Sequence, residues 1–263
     1  MIKSLRVQNF RKHTDFTINF KPGITIITGA NGCGKTSLIE AIYIALQGKS
    51  WRSNFTEILR DDGKRTTDWW RVDLEFSDGE KRIVKFKNSV KSFEINAKTS
   101  ARLPAKSRKP TILFEPNDLQ LLYGSPTRRR DFFDRFIIQT EPSHATNLRK
   151  FERVLRQRNN LLKQGATPDE LFVWDLQFAD LSEKIIFLRD KWIKEINEKL
   201  TDEYQKIATS RDGITVKYIA PQKSRQQILN QLKHDFIEGR PYTKTGPQTH
   251  DIKFKINDHD AKL

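Results

Sequence analysis

One octapeptide, Gly29-Ala30-Asn31-Gly32-Cys33-Gly34-Lys35-Thr36, limits what this chain can fold into more than any other stretch. It has the spacing Gly-x-x-x-x-Gly-Lys-Ser/Thr. The β-branched run Ile24-Thr25-Ile26-Ile27-Thr28 precedes it, and Leu38, Ile39, Ile42 and Leu46 follow at helical spacing, with Gly48 as the stop. Strand, glycine loop and helix in this order describe a phosphate-binding loop. Glycines let successive N–H groups converge on an anion, and the helix N-terminus adds the positive end of its dipole. Gly29, Ala30, Asn31, Gly32, Cys33, Gly34, Lys35 and Thr36 are therefore the candidate ATP-binding residues. Lys35 is expected to reach the β- and γ-phosphates, and the Thr36 hydroxyl to complete a Mg²⁺ shell made otherwise of water and phosphate oxygens. The run 24–28, apolar on both faces, is expected as a central strand of a covered sheet. Cys33 reads as a spacer, because the chain has one Cys and no resolving partner.

Around this loop the pattern alternates between strand and helix periods. Leu5 and Val7, then Phe16, Ile18 and Phe20, predict two half-buried strands joined by a turn at Asn9-Phe10-Arg11-Lys12. Trp70, Val72, Leu74 and Phe76 alternate up to Asp78-Gly79, a hairpin dipeptide, and Ile83 to Phe86 returns. Thr111 to Phe114 reads as a short strand closed by Glu115-Pro116. From Pro126 helix dominates, with Leu148, Phe151, Leu155 and Leu162 on one face. Thr167-Pro168-Asp169-Glu170 combines an N-cap, a proline at the first helical position and a capping-box Glu. The helix it opens carries Leu171, Trp174, Phe178, Leu181, Ile185, Leu188 and Trp192 at alternating steps of three and four. Ile214 to Tyr218, Ile228 to Phe236, and Ile252, Phe254 and Ile256 then read as strand, helix and strand, with Asn257-Asp258 as a turn. The expected architecture is α/β: a head with mixed sheet and antiparallel β section over 1–125, a helical arm lobe over 126–207, and a return segment over 208–263.

Charge narrows the partners. The 263 residues carry 48 Lys and Arg against 33 Asp and Glu, a net +15 that favours polyanions, with nucleic acid foremost. Between Lys81 and Lys109 Glu94 is the one acid among a run of bases. Lys81, Arg82, Lys106, Arg108 and Lys109 are candidate DNA contacts, the other reading being an exposed, solvated hairpin. Arg128 and Arg129 join them, since positive charge at a helix start opposes the dipole; a structural pairing of one arginine with a nearby carboxylate is equally consistent. The longest apolar run, Ala41 to Leu46, is far short of the roughly 20 residues that span a bilayer, so no membrane is expected. A lone Cys fits a cytoplasmic location. No convincing acidic partner for a metal is found: Asp175 lies in the three-four helix and reads as solvated, and Glu115 ends too short a strand.

Asn9-Phe10-Arg11 together with Asn31 through Ile42 resembles the N-terminal head of SMC-like and RecF-like ATPases. Gly48-Lys49-Ser50-Trp51-Arg52, Phe114 through Leu119, Gly124 through Asp134, Leu155 through Lys163 and Thr245-Gly246-Pro247 are similar to the RecF family of bacterial DNA replication and repair proteins. The resemblance covers essentially the whole chain. It implies an ABC-type P-loop ATPase head and adds Arg11 to the ATP site. It further implies binding of double-stranded and gapped DNA, a role in recombinational repair and the SOS response with RecO and RecR, and an ATP-dependent homodimer. After Gly246-Pro247 the family's His-Arg-Asp-Asp is replaced by Gln248-Thr249-His250-Asp251, of which only Asp251 matches. The family's Ser-x-Gly-Gln signature and acid-ended strand are expected beyond Leu263, so the reading is of a chain shortened at that end, with weak ATP turnover at most. Two other readings of the residues stay open: a small P-loop kinase, and a non-catalytic fragment that binds DNA by charge.

Overall fold

The computed structural model describes residues 1–60 and 68–261, in two units, 1–112 and 113–263. The first is built on a sheet whose alternating pattern was plain in the sequence. β1 (Ile2–Phe10), β2 (His13–Asn19), β3 (Trp69–Phe76), β4 (Lys81–Lys87), β5 (Val90–Ile95) and β6 (Lys98–Ser100) form an antiparallel sheet in the order β2-β1-β3-β4-β5-β6. Val7 pairs with Phe16 across β1–β2 and with Val72 across β1–β3, which puts Leu5, Val7, Val72, Leu74, Val84, Phe86 and Phe93 in one buried layer. α1 (Lys35–Gln47) covers that layer with Leu38, Ala41, Ile44 and Ala45, and Gly48 closes it in the left-handed conformation. Trp70 sits at the centre: its ring meets Phe10 edge-on at 5.3 Å, and its indole N–H donates to the Phe55 carbonyl at 3.0 Å.

The expected strand at 24–28 does not form. Ile24 is 95% and Ile26 81% exposed, and the segment enters none of the sheet pairings. β-Branched residues favour extended backbone, but a strand exists only where a neighbour exchanges its hydrogen bonds, and no described strand lies beside this one. Thr111 to Phe114 likewise forms no strand, with Ile112 and Phe114 exposed. Every described strand pairing is therefore antiparallel.

The second unit contains a one-turn helix α2 (Gln120–Tyr123), α3 (Pro126–Thr140), α4 (Ser143–Lys163), α5 (Pro168–Ala208), α6 (Arg225–Ile237) and a small sheet β7-β8-β9 (Ile214–Ile219, Asp251–Ile256, His259–Asp260). α5 begins where its capping box requires, with the Thr167 N–H donating to Glu170 at 2.7 Å. Its 41 residues extend about 60 Å. Leu171, Phe178 and Ile185 are buried as the seam predicts, but so are Ile186, Arg189 and Ile193 beside them. This wider face packs against α4 and also against β7 and α6, so Phe133, Phe151 and Phe178 share one core with Val216, Tyr218, Ile228 and Ile252. Val216, Tyr218, Ile228, Leu232 and Ile252, from the segment after α5, thus share the core of the second unit with the helices.

A buried polar network organises this core. Asp134 accepts two hydrogen bonds from Arg189, at 2.9 and 2.7 Å, and faces His144 Nε2 at 2.9 Å. Arg189 also donates to the Pro247 carbonyl, Arg130 donates to the His250 carbonyl, and the Tyr218 hydroxyl meets His250 Nδ1 at 2.9 Å. Gly246 has φ 111°, and a Cβ there would lie 2.6 Å from the Phe178 ring, so only glycine fits. Asp175, expected to be solvated, is helical but accepts a 2.6 Å hydrogen bond from the buried Arg158.

Candidate functional site

The phosphate-binding loop is shaped by glycines in conformations that L-residues avoid. Gly32 has φ 78°, and Gly34, the residue that caps α1, has φ 101°. A Cβ on Gly34 would also stand 2.5 Å from His13 Nε2, because β2 brings His13 against the loop, where Nε2 lies 3.2 Å from the Gly34 carbonyl. α1 starts at Lys35, so the N–H groups of its first turn face the loop. Lys35 Nζ donates to the carbonyls of Gly29 and Ala30, each at 2.8 Å, which holds the ammonium over the loop. Thr36 is exposed beside it, and Cys33 is exposed, with Sγ 4.0 Å from Lys35 Nζ.

A cleft of about 470 Å³ opens onto this loop, lined by Gly32, Gly34, Lys35 and Thr36 on one side and by Arg11, Lys12, Arg52, Ser53 and Glu57 on the other. Arg11, which the family resemblance implies at the ATP site, lines this cleft, as do Lys12, Arg52 and Ser53, which no motif marks in the sequence. What holds the second side is a carboxylate beneath it. Glu40, on α1, is fully buried and accepts from Arg11 Nε at 3.0 Å and NH2 at 2.9 Å, from Arg52 NH2 at 2.7 Å, and from the hydroxyls of Ser50 and Ser53 at 2.7 and 3.0 Å. Burial pushes the Glu40 carboxyl up, but the hydrogen bonds from Arg11, Arg52 and Ser50 outweigh it and hold it at about 2. Glu40 is thus an anion at every ordinary pH, binding the β1–β2 turn and the 50–53 segment to α1. Its in-phase placement with Ser37 and Ile44 on the buried face of α1 was the sequence signal for this role.

Cations therefore outnumber anions around the cleft, as the polyphosphate of ATP requires. The exposed Thr36 hydroxyl is the one side-chain oxygen of the loop's Gly-Lys-Thr end that could serve a Mg²⁺ ion, whose octahedral shell phosphate oxygens and water would complete. Of the carboxylates here, Glu57 lies at the rim and Glu40 is engaged by two arginines. The one His/Asp/Glu cluster among the described residues that could hold a metal, His234, Asp235 and Glu238, is in the second unit. There Asp235 already accepts from Thr245 and Gln231.

The expected DNA-contacting residues separate by burial. Lys81, Lys106, Arg108 and Arg128 are exposed. Lys109 is half-buried, 3.4 Å from Glu80 and over the Phe76 ring. Arg82 and Arg129 do not suit the role. Arg82 is 3% exposed and donates to Glu80, to the Ala45 carbonyl and to the Ser107 carbonyl, fastening α1 to the sheet. Arg129 is 2% exposed and grips Asp251 through Nε and NH2, at 2.9 and 3.0 Å, while NH1 donates to the Gly124 carbonyl. A desolvated guanidinium with its donors satisfied is a structural pin.

With the geometry in place, the comparisons are informative. A family model described as an AAA domain matches residues 4–238. The DNA replication and repair protein RecF of Acetivibrio thermocellus is 31% identical over 284 residues, an alignment that covers 100% of this chain and 76% of that protein. RecF of Clostridium perfringens is 30% identical over 274 residues, covering 100% and 75%. Among solved structures, the recombination mediator protein RecF-ATPrS superposes with a TM-score of 0.86 at 24% identity, over 100% of this chain and 75% of that one. RecF-ATP gives 0.79 at 24%, over 98% and 74%. The chain thus spans about three quarters of the relatives it matches. Matched by the AAA-domain model over residues 4–238 and aligned over its whole length with curated RecF proteins, it belongs to the RecF family of DNA replication and repair proteins.

Proposed function

We propose that this chain binds ATP with Mg²⁺ in the cleft at residues 29–36, and that occupancy of the cleft governs how its basic surface grips double-stranded DNA at single-strand gaps. The observation that carries the reading is the cleft itself: a glycine loop at a helix N-terminus, faced by Arg11, Lys12, Lys35 and Arg52. Lys35 is proposed to move from the Gly29 and Ala30 carbonyls to phosphate oxygens, and Thr36 to hold the metal. On the first unit Lys81, Lys106 and Arg108 are the proposed backbone contacts to DNA, with Lys109 beside them; Arg128 is the one proposed on the second. RecF proteins are described as mediators of a RecFOR pathway, which supports RecO and RecR as partners in recombinational repair and the SOS response. An ATP-dependent homodimer and a cytoplasmic location complete the proposal, and no described helix is long and apolar enough to cross a membrane. Turnover of ATP is proposed to be weak, because the Glu40 carboxylate is committed to arginines and leaves Glu57 as the one rim acid of the cleft among the described residues.

The test is anisotropy of a labelled gapped duplex titrated with protein, with and without ATP·Mg²⁺. ATP is expected to tighten binding, and Lys35→Ala to remove that increment while leaving the nucleotide-independent part. Equal affinities with and without ATP, unchanged by the substitution, would leave only a charge-driven DNA binder.

A further inference from the structure

The family resemblance implies Arg11 as the cation of the β1–β2 turn that meets the nucleotide, but in the structure that guanidinium is largely consumed. Its Nε and NH2 donate to Glu40, NH2 also to Ser53 Oγ, and NH1 to the Glu57 carbonyl at 2.9 Å. A guanidinium has five N–H groups, and four of them are engaged here. Arg11 also has φ 55°, a left-handed turn conformation, and the side chain that follows it in the turn is a second cation. That side chain is Lys12. Its Nζ lies 3.5 Å from where a Gly32 Cβ would stand, directly over the phosphate-binding loop, and it lines the same cleft as Lys35 and Thr36. Among the described residues it has no hydrogen-bond or ion-pair partner, and it is exposed to the cleft.

We infer that Lys12 is a phosphate ligand of the bound nucleotide, facing Lys35 across the loop, and that Arg11, through Glu40, is the positioning residue that aims it. The inference rests on the nucleotide reading above. An ammonium with three donors and no internal acceptor, held over converging N–H groups, is a suitable partner for a non-bridging phosphate oxygen. The glycine at position 32 leaves room for that approach.

Calorimetric titration of ATP·Mg²⁺ into the full chain, alongside Lys12→Met, Lys21→Met and Lys35→Met, tests it. Methionine keeps the length of the stem and removes the charge; Lys21 is exposed and lies outside the cleft. Lys12→Met is expected to weaken ATP binding roughly 10-fold, the size of one charge-assisted hydrogen bond, with an unchanged melting temperature. Lys21→Met is expected to match the wild type, which separates a local contact from a general loss of positive charge. If Lys12→Met binds as tightly as Lys21→Met while Lys35→Met loses binding, the role of Lys12 is overturned and the nucleotide reading stands. A wild-type protein that binds no ATP overturns both.

Discussion

Replacing Glu40 by glutamine removes the one anion that joins α1, the β1–β2 turn and residues 50–53 while preserving shape. The carboxyl is fully buried and sits at about 2 instead of 4.5. At about 1.4 kcal/mol per pH unit, that gap corresponds to about 3 kcal/mol of stability. The same size follows from leaving partly buried guanidiniums without their counter-ion, about 3 to 5 kcal/mol, discounted because Arg11 and Arg52 keep some exposure. The folded value is depressed, so the contribution is complete above about 4.5 and disappears as the pH falls toward 2. Native-state hydrogen exchange of β1 and β3 amides reads the first unit alone. Glu40→Gln is expected to lower their protection by about 3 kcal/mol at pH 7, with the difference from wild type narrowing below pH 4.5. A difference under about 0.5 kcal/mol at pH 7, or one that does not change with pH, would show that the carboxylate is not the fastening described here.

Further expectations concern both units. Burial, with Arg189 and Arg130 nearby, holds His250 down at about 4 against an ordinary 6.5. The unfolded chain therefore takes up its proton first, and stability should fall by about 3 kcal/mol between pH 6.5 and 4. Exchange of β7 and β8 amides should follow that fall in the wild type and flatten in His250→Gln; parallel profiles would refute it. Gly34→Ala combines a left-handed φ with a 2.5 Å approach to His13, so it should weaken ATP binding and lower the melting temperature, and His13→Ala should restore only the steric part. Full restoration by the second change would mean that φ imposes no strain. For the proposed DNA contacts, engagement of about six phosphates would give log affinity a slope of roughly −5 against log salt. A slope near zero in filter-binding would contradict phosphate contacts.

Much of the fold was legible because its signals are local. Alternation in β1, β3 and β4, the Asp78-Gly79 turn, the Gly48 stop and the Thr167 capping box each lie within a few residues and appear as expected, whereas β2 forms but leaves Phe16 exposed. The run 24–28 was misleading because strand character needs a hydrogen-bonding neighbour, which composition does not supply. The width of the buried face of α5 was not legible, because the 3–4 seam shows one stripe whereas Ile186, Arg189 and Ile193 bury a second. Arg82 was a candidate DNA contact by the charge of its run, and Arg129 by its place at a helix start, with pairing to a carboxylate left equally open. That pairing is what the structure shows for Arg129, with Asp251 as the partner. The phase of both arginines points to burial: Arg82 alternates with Val84 and Phe86 on a strand, and Arg129 stacks below Phe133 and Ile137 on a helix. Asp251, the position that still matches the family pattern, proves to be the partner of Arg129. The loop 29–36 was found by motif and Arg11 by resemblance, but the rest of the opposite wall was not, since Arg52 and Ser53 reach it through Glu40 and Lys12 through the β1–β2 turn.

The most direct test of the account is the heat of mixing ATP and Mg²⁺ with folded protein. A saturable signal with one nucleotide per chain, lost in Lys35→Ala at unchanged melting temperature, is the predicted result. Folded wild-type protein giving no heat, or Lys35→Ala binding as tightly as wild type, would contradict it.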